Sequence, residues 1–419
     1  MTRAPVLAED LFAPAVLDDP YPLYERLRAA GPVHYLPGLG LHLVVRHAEV
    51  LDALDDPATY SSNLLGLLYT GEDGVSLLAA GSGSGSADVL ATADPPAHTG
   101  HRRIVRGAFA RGRVDALRET VAELVEPRVD SLVAAGGGDW MAGVAGPLPT
   151  LMISRILGLP EADADRLTAW SDAGVELLGG LAGPDRTGEL AAEILAFTAY
   201  LRERLEEARH HPCGGLVDEV AEAWSGGLLD GDEAASMLLQ LVTAGAESTT
   251  SLIGATARLL AADPALQRRI RDDAGLLPAL VEEALRLESP FRGHFRVTTR
   301  EAELGGVRLP EGARLMLLWG AANRDPAAFG TPDRLDLARP AARGHTAFGR
   351  GIHFCVGAHL ARLEAVVALR ALLDATGDIA LRPGDRPSYV PSLFVRRPAR
   401  LELVMTPAPG GITRHHGAC

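Results

Sequence analysis

The segment Phe348–Arg362, FGRGIHFCVGAHLAR, sets one cysteine at the junction between a glycine-rich loop and a helix. A helix N-terminus offers free N–H groups and the positive end of its dipole, which together favour a thiolate, the form of sulfur that a metal requires. Cys355 is therefore a candidate metal ligand. Gly349 and Gly351 can adopt backbone angles closed to other residues, and Gly357 omits a side chain where a flat ligand could lie along the helix. Phe348 is placed to shield the sulfur from water, and His353 and Arg350 to pair with acidic groups on that ligand's edge. A lone cysteine is ordinarily a small buried hydrophobe; the spaced glycines, aromatic and histidine argue for chemistry instead.

A second constellation lies in the apolar stretch Ala234–Ala262, which carries AGAEST at 244–249. Glu247 inside an apolar helix costs energy unless it is paired or functional, and Gly245 costs about 1 kcal/mol relative to alanine, so both mark a local groove. The Ser248 hydroxyl can bond back to the carbonyl of Ala244 and loosen the helix there. Glu283 and Arg286, three apart in VEEALRLESP, would in isolation be an exposed ion pair of little consequence.

Together these segments resemble the cytochrome P450 family, whose haem-binding loop has the pattern F-G-x-G-x-H-x-C-x-G. VEEALR is similar to the family's E-x-x-R, AGAEST to its A-G-x-[DE]-T, and DPPAHTGHRR at 94–103 to its D-P-P-x-H-x-x-x-R. The resemblance runs from DDPYPLYERLR at 18–28 to PSLFVRRPARLEL near the end and is weakest over 61–93. It implies a mainly α protein with a minor β region, a triangular prism with one long helix over haem b (iron protoporphyrin IX). Cys355 becomes the iron ligand, with thiolate donation favouring O–O cleavage. His98, Arg102, Arg296 and His353 become partners of the haem propionates, and Ala244, Gly245, Phe348, Gly349 and Gly357 line the cofactor. Glu283 and Arg286, with Arg334 of TPDRLDL as third partner, become a structural network that positions the Cys loop. Glu247 and Ser248 become an acid–alcohol pair relaying protons. The commonest pattern has threonine at the alcohol position; here threonine falls one place later, at Thr249, about 100° around the helix, so it cannot simply take over the direction of Ser248, and which hydroxyl serves the relay stays open.

The implied activity is monooxygenation: one atom of dioxygen is inserted into a hydrophobic small molecule, by hydroxylation or epoxidation, within secondary metabolism. No flavin-binding segment is recognisable, so electrons are expected from a separate ferredoxin and its reductase. Arg102, Arg103, Arg106, Arg111, Arg113, Arg343, Arg350 and Arg362 would form the docking patch. The substrate pocket is expected to draw on 61–93, 170–190, Leu241, Ala244, Phe291, Arg292, His294 and Phe394. Arg292 either meets a polar group of the substrate or is satisfied by a propionate or a backbone carbonyl. Rival readings are a peroxide-using or ring-coupling member of the family and a non-catalytic haem protein; retention of Glu247 and Ser248 argues against both.

The elements that must position these residues can also be read. The 419 residues suffice for a large core, and 47% apolar with 22% charged residues is the balance of a folded chain. Helical spacing recurs over 99–135, 147–158, 161–178, 187–210, 231–262, 263–272, 275–288 and 355–377. Short strands are read at 33–45, 294–319 and 379–405, and 61–93, with GSGSGS at 81–86, as a long loop. One domain is expected over 1–419, its β-rich part formed by about 30–60 with 294–320 and 379–405, its helical core by about 94–290 and 355–377. A net charge of −14, every fixed positive charge being an arginine, excludes a nucleic-acid partner. Glu247 and Arg258 interrupt the one stretch long enough to span a bilayer. Cys213, Cys355 and Cys419 are too few and scattered for a disulfide framework. The N-terminal residues lack an apolar signal run, so a cytoplasmic monomer is expected.

Overall fold

The computed structural model describes residues 8–63, 66–71, 74–79, 87–339, 344–386 and 388–409. It is mainly helical. At its centre runs a helix, Gly231–Ala262, started by a reciprocal cap in which the Asp230 carboxylate accepts from the N–H of Asp232 and Glu233 while the Glu233 side chain accepts from the Asp230 N–H. Most of its residues from Ala234 to Ala261 are buried, which explains an apolar run with no polar face. Small residues let neighbours approach: Gly174 of the roof helix, Ala164–Gly179, lies against Thr243, and Gly254 against Met141. No helix among the described residues is long and apolar enough to cross a membrane.

The strands are β1 (Val33–Leu36), β2 (Leu41–Val44), β3 (Tyr60–Ser61), β4 (Gly66–Gly71), β5 (Gly74–Ala79), β6 (Gly137–Asp139), β7 (His294–Thr298), β8 (Ala302–Leu304), β9 (Val307–Leu309), β10 (Arg314–Leu317), β11 (Thr376–Leu381) and β12 (Glu402–Pro407). The main sheet has the order β1-β2-β10-β7-β3, with only β10 and β2 parallel. Alternation assigns its two faces to separate cores: Leu43 and Met316 pack with Leu23 and Tyr24, whereas Val44 and Leu317 pack with Val50 and Trp319.

Three expectations are corrected. The 379–405 region does not join the N-terminal sheet: β11 and β12 pair with β6 instead. Glycine makes this possible, since a Cβ at Gly137 (φ +126°) would lie 2.0 Å from the Leu403 carbonyl oxygen. The 99–135 stretch is three helices, Ala97–Val105, Arg111–Asp115 and Arg118–Ala134. The 61–93 loop contains the β4–β5 hairpin and a 3-10 turn at Leu90–Thr92, while GSGSGS lies outside the described residues.

Candidate active site

The helix after the cysteine begins at Ala358, three residues beyond Cys355, with Gly357 at its cap position. The loop before it is fixed by backbone bonds: the Cys355 N–H donates to Phe348 O at 2.9 Å and the Gly349 N–H to Thr346 O at 2.8 Å. Gly349 and Gly351 hold φ of +66° and +67°, and a Cβ at Gly351 would sit 3.0 Å from Leu54 O, so the loop needs glycine at both positions. Burial pushes the Cys355 thiol up, while the Gly357 N–H, Arg102, Arg362 and the Ala358 N–H pull it down. In the chain alone burial wins; a bound metal is the positive charge that would reverse this balance. The Arg362 guanidinium covers the Phe348 ring at 4.4 Å.

Four cationic or hydrogen-bonding groups converge from different elements. His98 and Arg102 come from the helix Ala97–Val105, Arg296 from β7, and His353 from the Cys loop. The His98 and His353 rings lie 4.2 Å apart, and the Nε2 of each is buried without a hydrogen-bond partner. Burial, then the neighbouring positive groups, pushes His353 down to about 3; burial lowers His98 and Arg102, and Arg296 to about 10. Arg296 donates to Phe295 O at 2.6 Å and contacts His294 Nδ1 at 3.3 Å. Among the described residues none of these four is ion-paired, which is costly for buried donors and calls for an external anion. The two propionates of haem b fit that demand. His294 is itself lowered to about 4 by burial and by Arg296.

The central helix has Leu241 buried, Ala244 exposed, and Gly245 and Ser248 half-buried, so its face at Ala244 and Ser248 stays partly open among the described residues although Ile153 packs beside Gly245. Ser248 donates to Ala244 O at 2.7 Å, the expected back-bond, while Thr249 is buried. Glu247 is 3% exposed, and burial pushes it up to about 7, with Arg397 opposing and Asp172 adding to the rise. Phe394 packs on Phe291 (5.1 Å), His294 (5.9 Å) and Phe295 (6.3 Å between centroids), an apolar aromatic wall.

Several expected roles change. Arg334 is exposed, and only its carbonyl joins the network; Arg339 is the third partner, its Nε 3.1 Å from Glu283. Glu283 and Arg286 are fully buried and joined by bonds of 2.7 and 2.9 Å, and Arg286 also donates to Asn323 O and Pro332 O. The chain before the Cys loop is thus tied to the core. Arg292 donates to Val395 O at 3.0 Å, Val16 O at 3.3 Å and Leu17 O, so its guanidinium is spent on backbone carbonyls and not held for substrate. Arg350 is drawn out to Asp55 at 2.8 Å instead of pointing at a ligand edge. In the arginine patch, Arg111 meets Asp115, Arg113 meets Glu219 and Arg362 meets Glu282; Arg343 lies outside the described residues. Arg103 and Arg106 are exposed and stay unpaired among the described residues, and Ile352 and Phe354 of the Cys loop are exposed as well.

Sequence reasoning missed Arg339, Arg397, the pairing of buried Glu282 and His345 with half-buried Arg362, and Trp319, whose Nε1 is buried without a partner among the described residues. Arg334 and Arg339 lie on one short irregular segment, where spacing does not tell which turns inward. Glu282 adjoins Glu283, and a doublet of acids on a helix hides that both are buried.

The comparisons with known proteins agree with this geometry. The family model described as Cytochrome P450 matches residues 198–376. Cytochrome P450 144 of Mycobacterium tuberculosis is 38% identical over 95% of this chain and 92% of that protein. Cyclomarin C epoxidase CymV of Salinispora arenicola is 34% identical over 83% and 86%. The solved structure of cytochrome P450 CREJ in complex with (4-ethylphenyl) dihydrogen phosphate superposes with a TM-score of 0.86 at 28% identity, covering 93% of this chain and 97% of that one. Fold, unmatched cationic cluster and relatives converge: this chain belongs to the cytochrome P450 family of haem b-binding, haem-thiolate monooxygenases.

Proposed function

We propose that this chain is one domain that inserts an oxygen atom into a hydrophobic small molecule of secondary metabolism, with Cys355 as its iron ligand and separate ferredoxin and reductase proteins as its electron source. One observation carries the reading: a half-buried cysteine on a glycine-fixed loop stands beside four cationic or hydrogen-bonding groups, His98 and Arg296 buried and Arg102 and His353 half-buried, that have no ion-pair partner among the described residues. When bound, haem b supplies reductive activation of dioxygen.

The residues around it have separable tasks. His98, Arg102, Arg296 and His353 would hold the propionates, and Phe348, with Arg362 over its ring, would keep water from the Cys355 sulfur. Glu247, poised at about 7, exchanges protons with water near neutral pH. Ser248 keeps its hydrogen on Ala244 O and turns lone pairs toward the uncovered face, where they accept a bond from an incoming water. Leu241, Ala244, Phe291, His294 and Phe394 bind an apolar substrate. The relative named as an epoxidase supports epoxidation as one outcome. Exposed Arg103 and Arg106 offer an acidic ferredoxin a basic docking point, and the exposed Ile352 and Phe354 of the Cys loop an apolar one.

The test is spectroscopic and kinetic. The ferrous carbonyl complex should absorb at the thiolate position, and Cys355→Ala should lose both the band and turnover. Product should form with a ferredoxin, its reductase and dioxygen. Turnover with peroxide alone, and none with the reductase system, would replace this reading.

A further inference from the structure

Arg396 and Arg397 are consecutive in an extended segment, so their side chains leave opposite faces of the backbone. Arg396 meets buried Glu288 at 2.8 Å, and the segment is pinned by the Arg396 N–H on Pro290 O (2.8 Å) and the Val390 N–H on Arg397 O (2.9 Å). Arg397 is thereby delivered to the pocket side. Its Nε lies 3.1 Å from Glu247 Oε1 and its Nη2 3.1 Å from Asp172 Oδ1 on the roof helix. Side-chain exposure rises from 3% at Glu247 through 19% at Arg397 to 49% at Asp172, so the three charges form a path from the interior to the surface.

The two contacts differ in kind. Arg397 donates a hydrogen bond to Asp172, whereas its Nε and Glu247 Oε1 are both buried without an aligned partner, leaving attraction at short range but no directed bond. The charged groups acting on Glu247 are Arg397 from the C-terminal segment and Asp172 from the roof helix, with Ser251 one turn along its own helix. We infer that Arg397 is a positioning residue for Glu247 and that Asp172 competes for the same guanidinium, so the roof helix sets how firmly the acid is held. Gly174, two residues beyond Asp172, lies against Thr243 of the central helix, so the roof helix also borders the pocket face. A substrate that shifts that helix changes the division of Arg397 between the two carboxylates.

This rests on the reading of Glu247 as the proton-exchanging acid, and the experiment separates the two. In the haem-loaded protein, the protonated carboxyl band of Glu247, assigned by its loss in Glu247→Gln, is titrated by difference infrared spectroscopy. Arg397→Gln should move the midpoint to higher pH and Asp172→Asn to lower pH, each by about half a unit or more, a roughly threefold change in protonated fraction. Arg397→Lys should recover part of the shift. A purely structural crosslink would move neither midpoint, or both the same way, and either result overturns the inference. Should Arg397→Gln not fold, Asp172→Asn at its half-exposed position still decides it by the sign of its shift. If Glu247→Gln couples electrons to product as the parent does, the acid's role falls while the titrations still judge Arg397.

Discussion

Replacing Arg339 with alanine should weaken the protein, whereas replacing Arg334 should not. The Arg339 side chain is 7% exposed; its Nε lies 3.1 Å from the buried Glu283 carboxylate, and its other nitrogens donate to Gly330 O, Thr331 O and Arg334 O. Breaking a buried ion pair costs about 3–5 kcal/mol when one charge is orphaned. Glu283 keeps Arg286 and the Asp336 N–H at 2.8 Å, so the loss falls below that range, at about 2–3 kcal/mol. The Arg334 side chain is exposed, and its removal should stay within about 0.5 kcal/mol. At roughly 2.1 cal/mol/K per residue, a chain of 419 residues has an unfolding entropy near 0.9 kcal/mol/K, so Arg339→Ala should lower the thermal midpoint by about 2–3 °C. The assay is thermal unfolding followed by circular dichroism at matched haem loading, with haem-release half-life as a second readout. A midpoint for Arg334→Ala equal to or below that of Arg339→Ala would refute the assignment of the third partner.

Glu282 is buried, which raises its pKa, yet His345 and Arg362 overcome this and bring it to about 2. Against an ordinary value near 4.5, that contributes on the order of 3 kcal/mol above about pH 5, lost as pH falls toward 2; the stability deficit of Glu282→Gln should therefore shrink with acidification in urea titrations. Glu364 is the reverse case: burial alone raises it to about 8, and its Oε2 has no hydrogen-bond partner. The folded state then loses stability as pH rises from about 4.5 to 8, and Glu364→Gln should outlast the parent by a margin that widens over that interval. Arg292→Ala should cost about 2–4 kcal/mol through three carbonyls left without their donor, with ligand-induced spectral shifts unchanged; a selective loss of ligand affinity would restore Arg292 to the pocket.

The parts whose physics is local can be read from neighbouring residues alone. Phe348–Gly357 carries its own turn glycines and helix start; the Ser248 back-bond to Ala244 spans four residues of one helix; and the apolar run to Ala262 announces burial on every face. Tertiary structure decided which polar groups meet across long separations. Arg339 reaches Glu283 across 56 positions and Arg397 lies 150 beyond Glu247, and no periodicity records such distances. Arg292 shows the same limit: an arginine beside a pocket can satisfy its donors on any carbonyl in reach, and only the packed chain shows that Val16, Leu17 and Val395 stand there. The strand pair at 376–407 was legible as strands, but its partner was not, because a Gly-Gly-Asp segment at 137–139 has no alternation to mark it and pairs only where its missing side chains let β12 come close. Backbone geometry is written in nearest neighbours; the matching of buried charges depends on the whole fold, since burial sets what each unmatched charge costs.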